Sequence, residues 1–268
     1  MVLDITKNIK KIKELSPCIH CITNPISITQ CANAVLGLGG RPIMAEHPKE
    51  VLEITQNAHA LLVNTGNITD VRMESITISV SAANEKGIPI VLDAVGVGCS
   101  ALRKEFVRNL LQDYPPDVIK GNYSEICALY DNEYKSQGVD VDLTLDKNYV
   151  IDAAIRLACQ YNCVVLASGK ADVVTDGKEV VYINNGSPQL AEITGTGCML
   201  GAVCACCETV ARGMAGAVHA CIIMGVCGQL AETDKGNGSF GVNLMDSLSH
   251  LERIDFNKYM EVEIHEIV

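Results

Sequence analysis

The chain has 268 residues and a formal net charge of −11, from 32 acidic and 21 basic side chains. That balance argues against a nucleic-acid binder, which needs a basic patch. It leaves nucleotide binding open, because a helix N-terminus and a metal ion can handle phosphates locally. Hydrophobic residues make up 48% of the chain, yet there are only three Phe and no Trp. Such an aliphatic core fits an α/β protein whose central strands are buried on both faces. No linker or repeat divides the sequence, so residues 1–268 are expected to form a single domain.

No 18-residue apolar run is read, so no membrane span is expected. Met1 to Ser16 carries four Lys among Ile and Leu and lacks the apolar centre of a signal peptide, which makes the cytoplasm the expected location. Most of the thirteen Cys sit among Ala, Val and Ile. There they read as small, reduced, buried hydrophobes.

In chain order, Ile5, Ile9, Ile12 and Leu15 line one helical face with Lys opposite. Ile19 to Thr23 is a strand ended by Asn24-Pro25, and a helix follows over about 28–36, closed by Gly37 and Gly39-Gly40. Pro42 to Met44 is a short extended piece, and residues 48–56 form a helix with Pro48 in its first turn. Ala60 to Asn64 is a buried strand that leads through Thr65-Gly66-Asn67 to a helix capped by Asp70. The strand over 88–92 runs into Asp93, and Ser100 caps a helix to about Gln112. Val118 to Lys120 leads through Gly121-Asn122 into a helix from Ser124. An amphipathic helix over 146–161 and a strand over 163–167 complete the alternation. That alternation predicts a mostly parallel sheet with helices on both faces.

The pattern then changes. Val173-Val174-Thr175 and Val180-Val181-Tyr182 flank Asp176-Gly177 as a β-hairpin. Two small-residue helices near 198–211 and 215–233 follow, and residues 235–241 read as a Gly-rich loop.

Between the hairpin and those helices lies Thr194-Gly195-Thr196-Gly197-Cys198, followed directly by the apolar Met199-Leu200-Gly201-Ala202-Val203. Glycine lets backbone N–H groups approach an anion closely. A helix that starts there offers unpaired N–H groups and a positive dipole end. The same field is expected to lower the pKa of the Cys198 thiol. The segment therefore reads as a phosphate cradle with a reactive group at its mouth.

Ligands of open α/β sheets bind beyond the carboxyl ends of the strands. Asn24, Asn64, Asp93, Lys120 with Asn122, and Ser168 all fall at such ends. One polar residue there is often only a cap or a turn former; five ends together point to a site. Asp93 beside a Gly-containing loop suits a hydrated Mg²⁺ near phosphates. Glu125 supplies either a second carboxylate or a first-turn residue favoured by the helix dipole. The chain lacks both G-x-x-x-x-G-K-[ST] and an early G-x-G-x-x-G, which argues against P-loop enzymes and ordinary Rossmann dehydrogenases. Cys18-x-x-Cys21 has metal-type spacing, but zinc needs two further ligands. His219, in an apolar helix, reads as a core histidine.

Taken together, the motifs resemble the hydroxyethylthiazole kinases of the ribokinase-like fold over nearly the whole chain. The resemblance rests on Ile22-Thr23-Asn24, Cys31-Ala32-Asn33-Ala34, Arg41-Pro42-Ile43-Met44 and Asn64-Thr65-Gly66. It continues in Leu92-Asp93-Ala94-Val95-Gly96-Val97-Gly98, Lys120-Gly121-Asn122-Tyr123-Ser124-Glu125 and the Thr194 to Met199 loop. It implies ATP-dependent phosphorylation of the primary alcohol of 4-methyl-5-(2-hydroxyethyl)thiazole in thiamin salvage, with Mg²⁺. It also implies a homotrimer with active sites between subunits. By the same resemblance, the thiazole lies near Asn24, Met44 and Gly195. ATP is met by Lys120, Asn122, Ser168 and Thr194, and the metal and phosphates are served by Asp93 and Glu125. Cys198 stands where related sugar kinases use an aspartate as general base, with backbone N–H groups around Gly195 and Gly197 receiving phosphoryl charge. Two positions depart from the usual pattern. Ala94 replaces a proline, and Lys120 replaces an arginine, giving a point charge in place of a planar fork. The competing readings are a hydroxymethylpyrimidine kinase or nicotinamide-nucleotide-hydrate dehydratase of the same fold, and a thiol-rich metal-binding or redox-sensing protein. Met44 and Cys198 in their contexts favour the thiazole kinase.

Overall fold

The computed structural model describes residues 4–131, 134 and 146–267. Strands β1 (Cys18–Ile22), β2 (Arg41–Ile43), β3 (Ala60–Asn64), β4 (Ile90–Asp93), β5 (Val118–Asn122) and β6 (Val164–Ser168) pair in parallel. Strands β7 (Asp172–Thr175), β8 (Glu179–Ile183) and β9 (Val262–Glu266) extend the sheet antiparallel. The order is β2-β1-β3-β4-β5-β6-β7-β8-β9.

Alternate strand residues feed two separate cores. Ala60 and Leu62 of β3 face α1 (Ile5–Leu15), α2 (Ile28–Leu38), α8 (Thr196–Glu208), α9 (Met214–Ala231) and α10 (Asn237–Ser249). Leu61 and Val63 face α3 (Val51–Asn57), α4 (Asp70–Lys86), α5 (Ala101–Asp113), α6 (Tyr123–Tyr130) and α7 (Lys147–Tyr161). Burial on both faces is why these strands read as unbroken apolar runs. Ten of the thirteen Cys are buried, most of them in these cores. Among the described residues no group of three His, Cys, Asp or Glu is placed to hold a metal, Cys18 and Cys21 included.

Several details differ from the sequence reading. The 18 residues of α9 have a mean hydropathy of 1.6, so an apolar run of membrane-crossing length does exist. It is 78% buried inside the fold and packs as a core helix. The Gly-rich loop ends at Gly236, and α10 begins at Asn237 in spite of Gly238 and Gly241. Packing of Phe240, Leu244 and Leu248 into the core outweighs the weak helix propensity of glycine. Thr69, rather than Asp70, caps α4, accepting from the Arg72 N–H. Pro48 lies in a turn that precedes α3. The edge strand β9 was not expected, because its mostly polar residues lie exposed. His219 is a buried core histidine with its Nδ1 on Asn8, and burial lowers its pKa to about 4.

Helix α9 passes close beneath the end of β8. A Cβ added at Gly225 would lie 2.7 Å from the Asn185 backbone oxygen. Asn185 cannot retreat, because its amide donates to the Tyr259 carbonyl at 2.6 Å and its Oδ1 accepts from Glu261 N–H at 2.9 Å. Gly225→Ala is therefore expected to cost about 1–3 kcal/mol of stability, read from the denaturant midpoint.

Glu208, at the end of α8, accepts from the Gly213 N–H at 2.6 Å. Burial pushes its carboxyl up to about 8, with Asp117 adding to the effect. An unfolded glutamate releases its proton near 4.3, so the folded state binds the extra proton between these values. Stability should therefore fall as pH rises through that window. Glu208→Gln keeps an acceptor for Gly213 and should flatten that part of a plot of Tm against pH.

Candidate active site

Parallel register brings the strand-end residues side by side. Asn64 pairs with Asp93, Asp93 with Lys120, and Asn122 with Ser168. The Lys120 ammonium donates to Asp93 Oδ1 at 2.9 Å, and the Asn64 amide donates to Oδ2 at 2.7 Å. Asp93 and Lys120 are both buried. Burial works against the ammonium, but Asp93 and Glu125 more than offset it and hold Lys120 protonated above its ordinary value. On Asp93, burial pushes upward while Lys120 and Asn64 pull downward.

Glu125 fulfils its first-turn reading in full. Its Oε2 accepts from the Asn122 N–H at 2.7 Å while Asn122 Oδ1 accepts from the Glu125 N–H at 2.9 Å, a reciprocal capping box on α6. Its Oε1 accepts from the Gly96 N–H at 2.8 Å, which ties the loop after β4 to α6. Burial pushes this carboxyl up to about 7 against the pull of Lys120. Both oxygens keep a lone pair that capping does not use. Asp93 and Glu125 suit Mg²⁺ in its usual form, which keeps several waters and leans on one or two carboxylates plus phosphates.

Helix α8 starts at this row. Gly195, its N-cap, has φ +97°, and a Cβ there would lie 3.1 Å from Ser27 Cβ. Thr196 anchors the turn through its hydroxyl, which donates to the Leu190 carbonyl at 2.7 Å. A Cβ on Gly197 would sit 3.4 Å from the Lys120 ammonium, so the first helical N–H groups and the buried cation share one corner. Thr194 and Gly197 are exposed at its mouth. Gly201 then lets α8 lie close over the sheet, with a Cβ position 3.2 Å from Leu62 and 3.6 Å from Asp93.

Cys198 accepts from the Asn64 amide at 3.3 Å. Its pKa moves opposite to the sequence expectation. Burial and the Asp93 charge raise it, and Lys120, Ser27 and Asn64 only partly oppose them. The resting thiol is therefore protonated near neutral pH, because desolvation and a neighbouring carboxylate outweigh the helix dipole.

Ser168 donates to the Gly121 carbonyl at 3.3 Å, beside Asn122. Asn24 sits at the end of β1, and a Cβ on Gly66 would lie 2.7 Å from its amide, so the loops after β1 and β3 touch. Met44 follows β2 at the same edge and packs partly buried against the core. Two participants were not read from the sequence. Ser27 lies against both Gly195 and Cys198, and the only hint was its place three residues after Asn24. Arg72 is buried in the first turn of α4, an unfavourable place for a cation.

This geometry has relatives. The hydroxyethylthiazole kinase family model matches residues 9–253. "Hydroxyethylthiazole kinase 2" of Clostridium botulinum strain Langeland is 43% identical, covering 92% of this chain and 94% of its own length. The solved hydroxyethylthiazole kinase of Pyrococcus horikoshii superposes with a TM-score of 0.88 at 32% identity, covering 98% and 99% of the two chains. The pyridoxal kinase of Staphylococcus aureus shares the fold alone, with a TM-score of 0.66 at 13% identity, over 93% and 98% of the two chains. The chain belongs to the hydroxyethylthiazole kinase family.

Proposed function

We propose that this protein transfers the γ-phosphoryl group of ATP to the primary hydroxyl of 4-methyl-5-(2-hydroxyethyl)thiazole, as a single-domain enzyme of thiamin salvage. The observation that carries the reading is the buried Lys120–Asp93 pair at the mouth of α8, next to a half-buried thiol. Family membership names the acceptor.

Phosphoryl transfer needs positioning and charge stabilisation more than covalent help from the protein. Asn24, Met44 and Gly195 line the acceptor side. The N–H groups at the start of α8, around Gly195 and Gly197, receive charge on the transferring oxygens. Lys120 neutralises phosphate charge from below, and Asn122, Ser168 and Thr194 flank the nucleotide. Mg²⁺ would be held by Asp93 and Glu125 through water and would supply positive charge to the phosphate oxygens.

Cys198 takes the hydroxyl proton as its thiolate, late, once the bond to phosphorus is largely formed. Burial and Asp93 make that thiolate the minor form near neutral pH, and a loose transition state asks little of the base. Cys198→Ala is expected to lower kcat by on the order of 10²-fold or less while KM for ATP holds. The wild-type rate should climb with pH toward and beyond the ordinary thiol range near about 8.5, since the acceptor form is the thiolate. The alanine variant should lose that limb, and Cys198→Asp should retain activity. An unchanged kcat in the alanine variant would remove the base assignment.

We infer further that the protein is a homotrimer with sites between subunits. Ile26, two residues beyond Asn24, and Leu36 and Val242 on the packed pair α2 and α10 are exposed apolar side chains suited to cover by a neighbour. Sedimentation at working concentration should give three times the chain mass.

The deciding assay is ATP turnover with the hydroxyethylthiazole against a hydroxymethylpyrimidine control. Turnover should appear with the thiazole, vanish in excess EDTA and return with added Mg²⁺. Preference for the pyrimidine alcohol would replace this reading with the pyrimidine kinase.

A further inference from the structure

Arg72 is a cation buried in the first turn of a helix on the acceptor side of the site. Its side chain is only 4% exposed. Burial and the positive end of α4 both act against a charge there. Burial lowers its pKa, and the Glu46 carboxylate partly restores it.

The compensation comes from three separate loops. Arg72 Nη2 donates to the Thr23 carbonyl at 2.5 Å, in the loop that follows β1 and carries Asn24. Nη1 donates to the Asn67 carbonyl at 3.4 Å, in the loop after β3 that carries Gly66. Asn67 is held at φ +53°, a left-handed conformation that non-glycine residues seldom adopt. Nε lies 3.6 Å from the Glu46 carboxylate, two residues beyond Met44 in the loop after β2, and has no hydrogen-bond partner of its own among the described residues. One turn along α4, the Ser75 hydroxyl donates to the Glu46 carbonyl at 2.7 Å and secures the same loop.

A planar fork with five donors can hold several carbonyls at fixed angles, whereas a lysine reaches them as a point charge. The loops that Arg72 binds are those of β1, β2 and β3. The phosphate-side groups come instead from β4, β5, β6, α6 and the start of α8 with the loop before it. We propose that Arg72 is a positioning residue for the acceptor pocket: it ties the loops after β1, β2 and β3 together and so sets where Asn24, Met44 and Gly66 stand. This rests on reading those loops as the alcohol site. Arg72 touches neither reactant in this scheme.

The test compares wild type with Arg72→Met, Arg72→Lys and Glu46→Gln. In Arg72→Met, KM for the thiazole alcohol should rise by about tenfold or more, while KM for ATP stays within about twofold. Arg72→Lys should recover only part of the loss, and Glu46→Gln should show a smaller change of the same kind. Hydrogen exchange, which needs no substrate, should quicken together in residues 23–27, 44–47 and 65–69 and nowhere else. Equal rises in both KM values, an unchanged alcohol KM in a folded Arg72→Met, or exchange that quickens uniformly would overturn the proposal. Should Arg72→Met not fold, Arg72→Lys decides by the same two readouts. Should wild type fail to phosphorylate the thiazole, the activity reading falls by itself, and the exchange pattern still judges the clamp.

Discussion

The contact between Lys120 and Asp93 is the constraint on which the rest of the site depends. Each would be costly alone in the interior, since breaking a buried pair leaves an uncompensated charge. Their pairing is favourable because the surroundings finish the job: Asn64 donates to the second Asp93 oxygen, and Glu125 adds negative charge near the ammonium. Asn64, Asp93 and Lys120 reach one corner because β3, β4 and β5 are in strict parallel register. A slip of one residue would turn every side chain to the opposite face.

Helix α8 adds the second half of that corner. Its near-complete burial fixes its direction, and Gly201 fixes its height above the sheet. Its N-terminus therefore opens where the lysine already stands, so the unpaired N–H groups and the cation form one electropositive pocket. Glu125 joins the pieces mechanically by capping α6 and holding the Gly96 amide. The thiols follow the opposite logic. The ten that are buried among apolar groups are held protonated, which makes them packing residues of low reactivity. That is why thirteen cysteines need not mean a metal or redox function.

Much of this arrangement was legible in the chain. The strand ends at Asn64, Asp93 and Lys120, the hairpin at Asp176-Gly177 and the glycine loop before Met199 all carry local signals: an apolar run that stops at a polar residue, a turn pair, or a glycine at a helix start. Helix α10 and strand β9 carried no such signal. Gly238 and Gly241 hide the first, and exposed polar residues hide the second, so tertiary packing and pairing to β8 decide both. From the sequence alone, Glu125 suits either a carboxylate for the metal or a helix cap. The capping reading is realised, and the spare lone pairs keep the other compatible with it.

Sequence by itself determined the fold class, the family and the set of residues at the strand ends, because hydrophobic period, turn chemistry and motif order are local properties of the chain. Tertiary structure alone decided how those residues act on one another. It turned the Cys198 thiol from an expected low pKa to a raised one, because desolvation and the Asp93 charge depend on neighbours far away in sequence. It also gathered Thr23, Glu46 and Asn67 around a single arginine. Burial and distance are properties of the assembled chain, and they set the electrostatics from which chemistry follows.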